Sequence, residues 1–263
     1  MPNNHGRLRE DEMIIQLHGK QVKQLNQNLH YLLEELFGVV DDNEYLSCEP
    51  TEDHSKADFL ITYKGITKGV SMKSASSLSM HNEPISSFVA FLRTLDISEQ
   101  TITTLLQYQY GDGTIDGTGK ARMSIEELKY ELADDIKDAN YELNYSRERV
   151  AKIIDRLVFK GANPDLPAAD CVYHGDFRYG TVITRTQVMK YLLSRSFHQY
   201  DNLHIGPLFI RPHARYIGVE IRNEVYRHRV DFNWVRLLAD MEYISKKYSS
   251  YVPISKRGEN GEW

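Results

Sequence analysis

Residues 58–73, DFLITYKGITKGVSMK, constrain this chain more than any other stretch. In an extended pair, Phe59, Ile61, Tyr63, Ile66, Val70 and Met72 fall on one face, while Asp58, Thr62, Thr67, Ser71 and Lys73 fall on the other. A two-residue turn at Lys64-Gly65 sets the register, because glycine accepts the left-handed backbone such turns require. That register puts Asp58 opposite Ser71, with Lys73 next along the same face. Three polar groups therefore gather at the open end of a hairpin whose other face must be buried.

The surrounding pattern is mixed. Residues 1–13 are polar and read as loosely ordered. A helix is expected over about Lys20 to Phe37, where Leu25, Leu29, Leu32, Leu33 and Leu36 form a stripe and Gly38 supplies the stop. Pro84 opens a helix to about Leu95, and another runs from Ser98 to Gln107. GDGTIDGTGK, residues 111–120, reads as a flexible loop. Ser124 with Glu127 makes a capping box for a helical region reaching Gly161, broken near Asn144. Further on, β-type runs appear at 170–174, 179–183, 205–210, 216–221 and 225–231, with helices over Arg185–His198 and from Asn233. The fold class expected is α/β or α+β, one domain over 1–263 with a candidate helical insertion at 98–165.

Composition removes several classes. No run reaches the ~18 apolar residues of a membrane span, and the N-terminus lacks a secretory apolar core, so a cytoplasmic protein is expected. Cys48 and Cys171 are too few for a disulfide framework or a zinc site, leaving oxygen or histidine as metal ligands. The ten histidines form no zinc-enzyme motif, although His54 and His174 could approach the hairpin. The loop at 111–120 fails both the P-loop and the EF-hand patterns, and no nucleophile elbow is present. A net charge of −5 argues against general coating of polyanions but leaves room for a local basic groove.

A carboxylate beside a lysine admits two readings. One is a solvated sheet face with an exposed ion pair of ~0–1 kcal/mol. The other is a magnesium site, in which a carboxylate and a strand carbonyl supply hard oxygen ligands and the lysine orients water or offsets phosphoryl charge. Asp58, followed by Ser71-Met72-Lys73 on the next strand, resembles the PD-(D/E)xK nuclease superfamily, which includes many type II restriction endonucleases. The resemblance implies a mixed central β-sheet flanked by helices, with Asp58 and the Met72 carbonyl as metal ligands and Lys73 as the catalytic lysine. Ser71 departs from the pattern, standing where a second acid is usual; this is similar to a restriction-enzyme variant that recruits its acid from elsewhere in the fold.

Two glutamates could fill that role. At about 100° per residue, Glu34 points away from the leucine stripe, whereas Glu35 lies at its edge and could face a neighbouring site. Glu83, just ahead of the Pro84 helix, is the rival, and Glu35 is preferred. Arg211, Arg215, Arg222, Arg227 and Arg229 form the most arginine-rich stretch and are candidate DNA contacts, against the reading of a solvated sheet face. The basic stripe of Arg147, Arg149, Lys152, Arg156 and Lys160 reads as a solvated helix face. The expectation is a Mg2+-dependent endonuclease acting on double-stranded DNA, with Mn2+ able to substitute, working as a homodimer and serving as a restriction enzyme or related defence nuclease. The alternatives are a nuclease-fold DNA-binding protein without chemistry and an interaction protein without a nucleic-acid role.

Overall fold

The computed structural model of the chain describes residues 5–73, 78–119, 121–197, 200–212 and 224–250. It is a mixed α/β protein with a mixed five-stranded sheet and a separate antiparallel sheet, each flanked by helices. The chain divides into two compact units. The first comprises Met1–Ser77, Val158–Tyr191 and Arg236–Trp263; the second comprises Leu78–Leu157 and Leu192–Val235.

In the first unit, numbering along the chain, β1 (Leu46–Pro50), β2 (Phe59–Tyr63), β3 (Ile66–Lys73), β5 (Cys171–Gly175) and β6 (Gly180–Thr184) lie in the order β1-β2-β3-β5-β6. Only β3 and β5 run parallel; the other neighbours are antiparallel. Helix α1 (His5–Leu17) occupies much of the N-terminal stretch expected to be loose. Met13 and Leu17, one turn apart, are fully buried in the core, which anchors an otherwise polar helix against β1 and β2. The helix expected from Lys20 starts later. Val22–Gln24 makes one 3-10 turn, and Asn26 then caps α2 (Gln27–Phe37) by accepting the Leu29 N–H at 2.9 Å. The leucine stripe of α2 buries Leu29, Leu32 and Leu33 on Phe59, Ile61, Val70 and Cys171 of the sheet. Helices α8 (Arg185–Leu193) and α10 (Leu237–Tyr248) complete this unit, with α10 packed on β6.

One glycine sets the close approach of β3 to the chain leading into β5. A Cβ at Gly69 would lie 2.1 Å from the Ala168 carbonyl oxygen and 2.9 Å from the Ala57 Cβ. The Gly69 carbonyl accepts the Asp170 N–H at 2.7 Å, and the Gly69 N–H donates to the Asp170 carboxylate at 2.9 Å.

In the second unit, β4 (Ser79–Pro84), β9 (Arg229–Trp234), β8 (Leu208–Pro212) and β7 (His204–Ile205) form an antiparallel sheet in that order. Pro84 ends β4 and stands at the N-cap of α3 (Ile85–Arg93). Helices α4 (Glu99–Tyr110), α5 (Ile125–Glu131), α6 (Ala133–Tyr145) and α7 (Arg147–Ile154) fill the segment expected to be an insertion. Here α4 packs on β8, and α6 and α7 on β7, so they form one body with that sheet. The capping box of Ser124 and Glu127 forms as expected, while the breaks fall at Leu132 and Ser146. Residues 225–231, expected as a strand, begin as a short helix α9 (Glu224–Arg227) before β9. The strand expected at 216–221 lies outside the described residues.

Candidate functional site

The hairpin forms with the expected register. Lys64 and Gly65 both have positive φ, 48° and 76°, as a type I′ turn demands, and the ladder runs from Tyr63 opposite Ile66 to Phe59 opposite Val70. Thr62 and Thr67 share a hydroxyl contact of 2.9 Å on the polar face. One step beyond the ladder, the Asp58 N–H donates to the Val70 carbonyl at 2.8 Å, and the Asp58 carboxylate accepts the Met72 N–H at 2.5 Å. Ser71 is buried and Lys73 half-buried. On the other edge of β3, the parallel ladder pairs Lys73 with His174, which brings the imidazole to the same face of the sheet.

The segment before Asp58 is held firmly. The Lys56 and Ala57 N–H groups both donate to the Pro167 carbonyl, at 3.1 and 3.2 Å, and the Thr51 hydroxyl donates to the Ala57 carbonyl. Lys56 itself is buried. Burial pushes the Asp58 carboxyl above its usual range, opposed by the Lys73 ammonium, the Met72 N–H, the Lys56 ammonium and the Ser71 hydroxyl. The structure also supplies a carboxylate that the sequence reading missed. Glu10 on α1 is raised first by burial and next by the charge of Asp58, with Lys73 as the leading opposing charge. Glu10 thus lies within electrostatic reach of both candidate residues. Its signal was available: Glu10, Met13 and Leu17 follow the i, i+3, i+7 spacing of one helix face, but α1 had been read as loose chain.

Glu35 has other partners. Its carboxylate accepts the Gln187 side-chain N–H at 2.6 Å and the Ser249 hydroxyl, and burial, those two donors, Tyr31 and Glu34 set its raised pKa. Glu83 belongs to the second unit. There its buried carboxylate accepts from Arg156 at 2.6 Å and faces His81 at 3.5 Å; burial raises its pKa, but the interactions with His81 and Arg156 outweigh burial and lower it. Neither glutamate is brought to Asp58 by any described contact.

The arginines divide. Arg211 is exposed on β8, cross-strand from Asp231. Arg227 is buried, donating to Asp112 at 2.6 Å and to the Gly119 carbonyl at 2.8 Å. Arg229 donates to the side chain and carbonyl of Asn82. Arg215 and Arg222 lie outside the described residues. The pairing of Arg227 with Asp112 also ties down the loop expected to be flexible: Asp112 accepts from the Thr114 N–H and hydroxyl and from the Gly119 N–H.

A divalent cation fits this donor set only in part. Among the described residues no group of three or more His, Cys, Asp or Glu side chains is gathered, and burial with Glu49 nearby pushes the Cys48 thiol up to about 12. Zinc, which wants four closed protein ligands in a structural site, does not suit it. Magnesium asks less of the protein, because it keeps several waters and needs only one or two carboxylates with substrate phosphate. Among the described residues no helix is long and apolar enough to cross a membrane.

The fold and site define a mixed α/β protein with a carboxylate and lysine hairpin inside a mixed sheet. No protein-family model and no curated protein matches the chain.

Proposed function

We propose that the chain is a Mg2+-dependent endonuclease of the PD-(D/E)xK type that hydrolyses DNA phosphodiester bonds. The observation that carries the reading is the placing of Asp58 and Lys73 on one face at the open end of the hairpin, with Asp58 drawn onto the Met72 N–H and Glu10 within electrostatic reach. The parallel β5 beside the hairpin supports it, since a mixed sheet of this kind is what the resemblance implies.

Asp58 and Glu10 would hold the metal, with the Met72 carbonyl a further oxygen donor. Bound there, magnesium would offset charge that builds on the scissile phosphate. Lys73 would orient the attacking water and place its ammonium against the developing negative charge. Ser71 would steady the Asp58 carboxylate rather than supply a ligand oxygen of its own. A two-fold homodimer would cut both strands of a duplex, since each chain carries one candidate centre.

Plasmid and phage DNA incubated with the protein in Mg2+ should give discrete fragments that EDTA abolishes. Binding without cleavage, with Mn2+ also tried, would move the reading to a nuclease-fold DNA-binding protein, for which Ser71 in place of an acid is the supporting feature.

A further inference from the structure

The second unit contains a cavity of about 510 Å³ between the α5–α6 bend and the chain entering β7, within the range of small-ligand sites. Lys129, Tyr130, Asp134, Lys137, Tyr200 and Asp201 line it. Residues 125–145 carry seven carboxylates and only two cations, Lys129 and Lys137. Both of those cations line the cavity, as the i, i+4, i+8 spacing of Lys129, Ala133 and Lys137 allows. The side chains of Lys129 and Lys137 have no ion pair or hydrogen bond among the described residues. In a helical segment rich in carboxylates, both lysines meet at this cavity, alongside Asp134 and Asp201.

Its far wall is prearranged. The side chain of Asn140, fully buried, donates to the Tyr200 carbonyl at 2.9 Å and the Asn202 carbonyl at 3.0 Å and accepts the His204 N–H at 2.9 Å. The Tyr200 ring is wedged against His204 and Phe209, with centroids 4.9 and 5.0 Å away. Tyr130 is the opposite case, 87% exposed at the cavity's edge and free to lie over a flat ring.

We infer that this cavity binds a nucleoside monophosphate group, its phosphate met by Lys129 and Lys137 and its base by Tyr130 and Tyr200. Lysine is a point-charge donor suited to phosphate, and tyrosine faces accept any base by stacking. Asp134 and Asp201 accept from sugar hydroxyls or exocyclic amines. The site is independent of Asp58 and Lys73. The group could arrive as a free nucleotide or as the phosphorylated end of a nucleic-acid strand.

The test is calorimetric titration of the full chain in EDTA with each of the four common nucleoside 5′-monophosphates, with adenosine, and with a 5′-phosphorylated hexanucleotide. Saturable binding of at least one monophosphate is expected, weakened about tenfold when the phosphate is absent, as loss of a phosphate contact implies. Tyr130→Ala and Lys137→Ala, both at exposed positions, should each weaken it roughly five- to tenfold. Equal affinity for nucleotide and hexanucleotide assigns the free nucleotide; a hexanucleotide bound at least about tenfold more tightly assigns the strand end. No saturable binding by any probe, or binding unchanged in the Tyr130→Ala/Lys137→Ala double variant, overturns the inference.

Discussion

The Asp58 carboxylate accepts the Met72 N–H at 2.5 Å, which ties the first acid of the hairpin to the residue just before Lys73. The bond crosses from one strand to the other, so the acid and the lysine are fixed relative to each other by main chain rather than by their own pairing. A site held in this way keeps its geometry when one side chain is changed conservatively.

Asp58→Asn should therefore abolish cleavage and raise stability. The folded-state pKa of Asp58 lies above its ordinary value, so the folded protein holds that proton more tightly than the unfolded chain does. The contribution to stability is fully present below the ordinary carboxyl range and is lost as pH rises through the raised value. Asparagine keeps an oxygen for the Met72 N–H and has no charge to desolvate. The Tm difference between Asp58→Asn and wild type should be small near pH 3.5 and widen in favour of the variant by pH 7. A variant less stable than wild type at pH 7 would contradict the burial cost assigned to Asp58.

Glu10→Gln and Glu35→Gln should separate cleanly. Glu10→Gln is expected to weaken Mn2+ binding, measured by electron paramagnetic resonance, by about 10- to 100-fold with little change in Tm. Glu35→Gln should leave metal binding intact, because the half-buried Glu35 carboxylate is engaged by the Gln187 and Ser249 donors. The reverse pattern would restore Glu35 as the second ligand.

Lys73→Ala should stop cleavage while leaving DNA binding in EDTA within about threefold of wild type, since one phosphate contact is a small part of total affinity. Gel shifts and cleavage assays on the same preparation read both effects. Cleavage at near wild-type rate would remove Lys73 from the chemistry.

Arg227→Ala and Arg211→Ala should behave oppositely. Removing Arg227 leaves the buried Asp112 charge unpaired, at a cost of about 3–5 kcal/mol in urea unfolding. Removing exposed Arg211 should leave stability within about 0.5 kcal/mol of wild type, and if this face meets DNA the salt slope of binding should fall by about one. A destabilised Arg211→Ala protein would show that its role is internal as well.

Gly69→Ala probes the sheet itself. The new Cβ would sit 2.1 Å from a backbone oxygen that cannot rotate away, so a loss of about 1–3 kcal/mol or more is expected in urea unfolding, with β3 pushed off the chain entering β5. An unchanged midpoint would mean that residues 168–170 shift freely.

Much of the hairpin was legible in the sequence because its determinants are local. A period of two sets the faces, and Lys64-Gly65 sets the turn; together they fix the register and hence the Asp58, Ser71 and Lys73 grouping. The helix starts at Ser98 and Ser124, and the helix stop at Gly38, likewise depend on residues within a turn or two of one another. Helix α1 carried a weaker signal, because its composition is polar and only Met13 and Leu17 mark the face that docks.

The sequence by itself determined the hairpin, its polar face and the mixed α/β character, since each follows from patterns spanning about a dozen residues. Only the tertiary structure decided which glutamate stands near Asp58, which arginines are internal and how the helical segment is grouped with a sheet. Those outcomes depend on partners such as Glu35 with Gln187 and Arg227 with Asp112, 152 and 115 residues apart, and no local periodicity encodes a pairing at that distance.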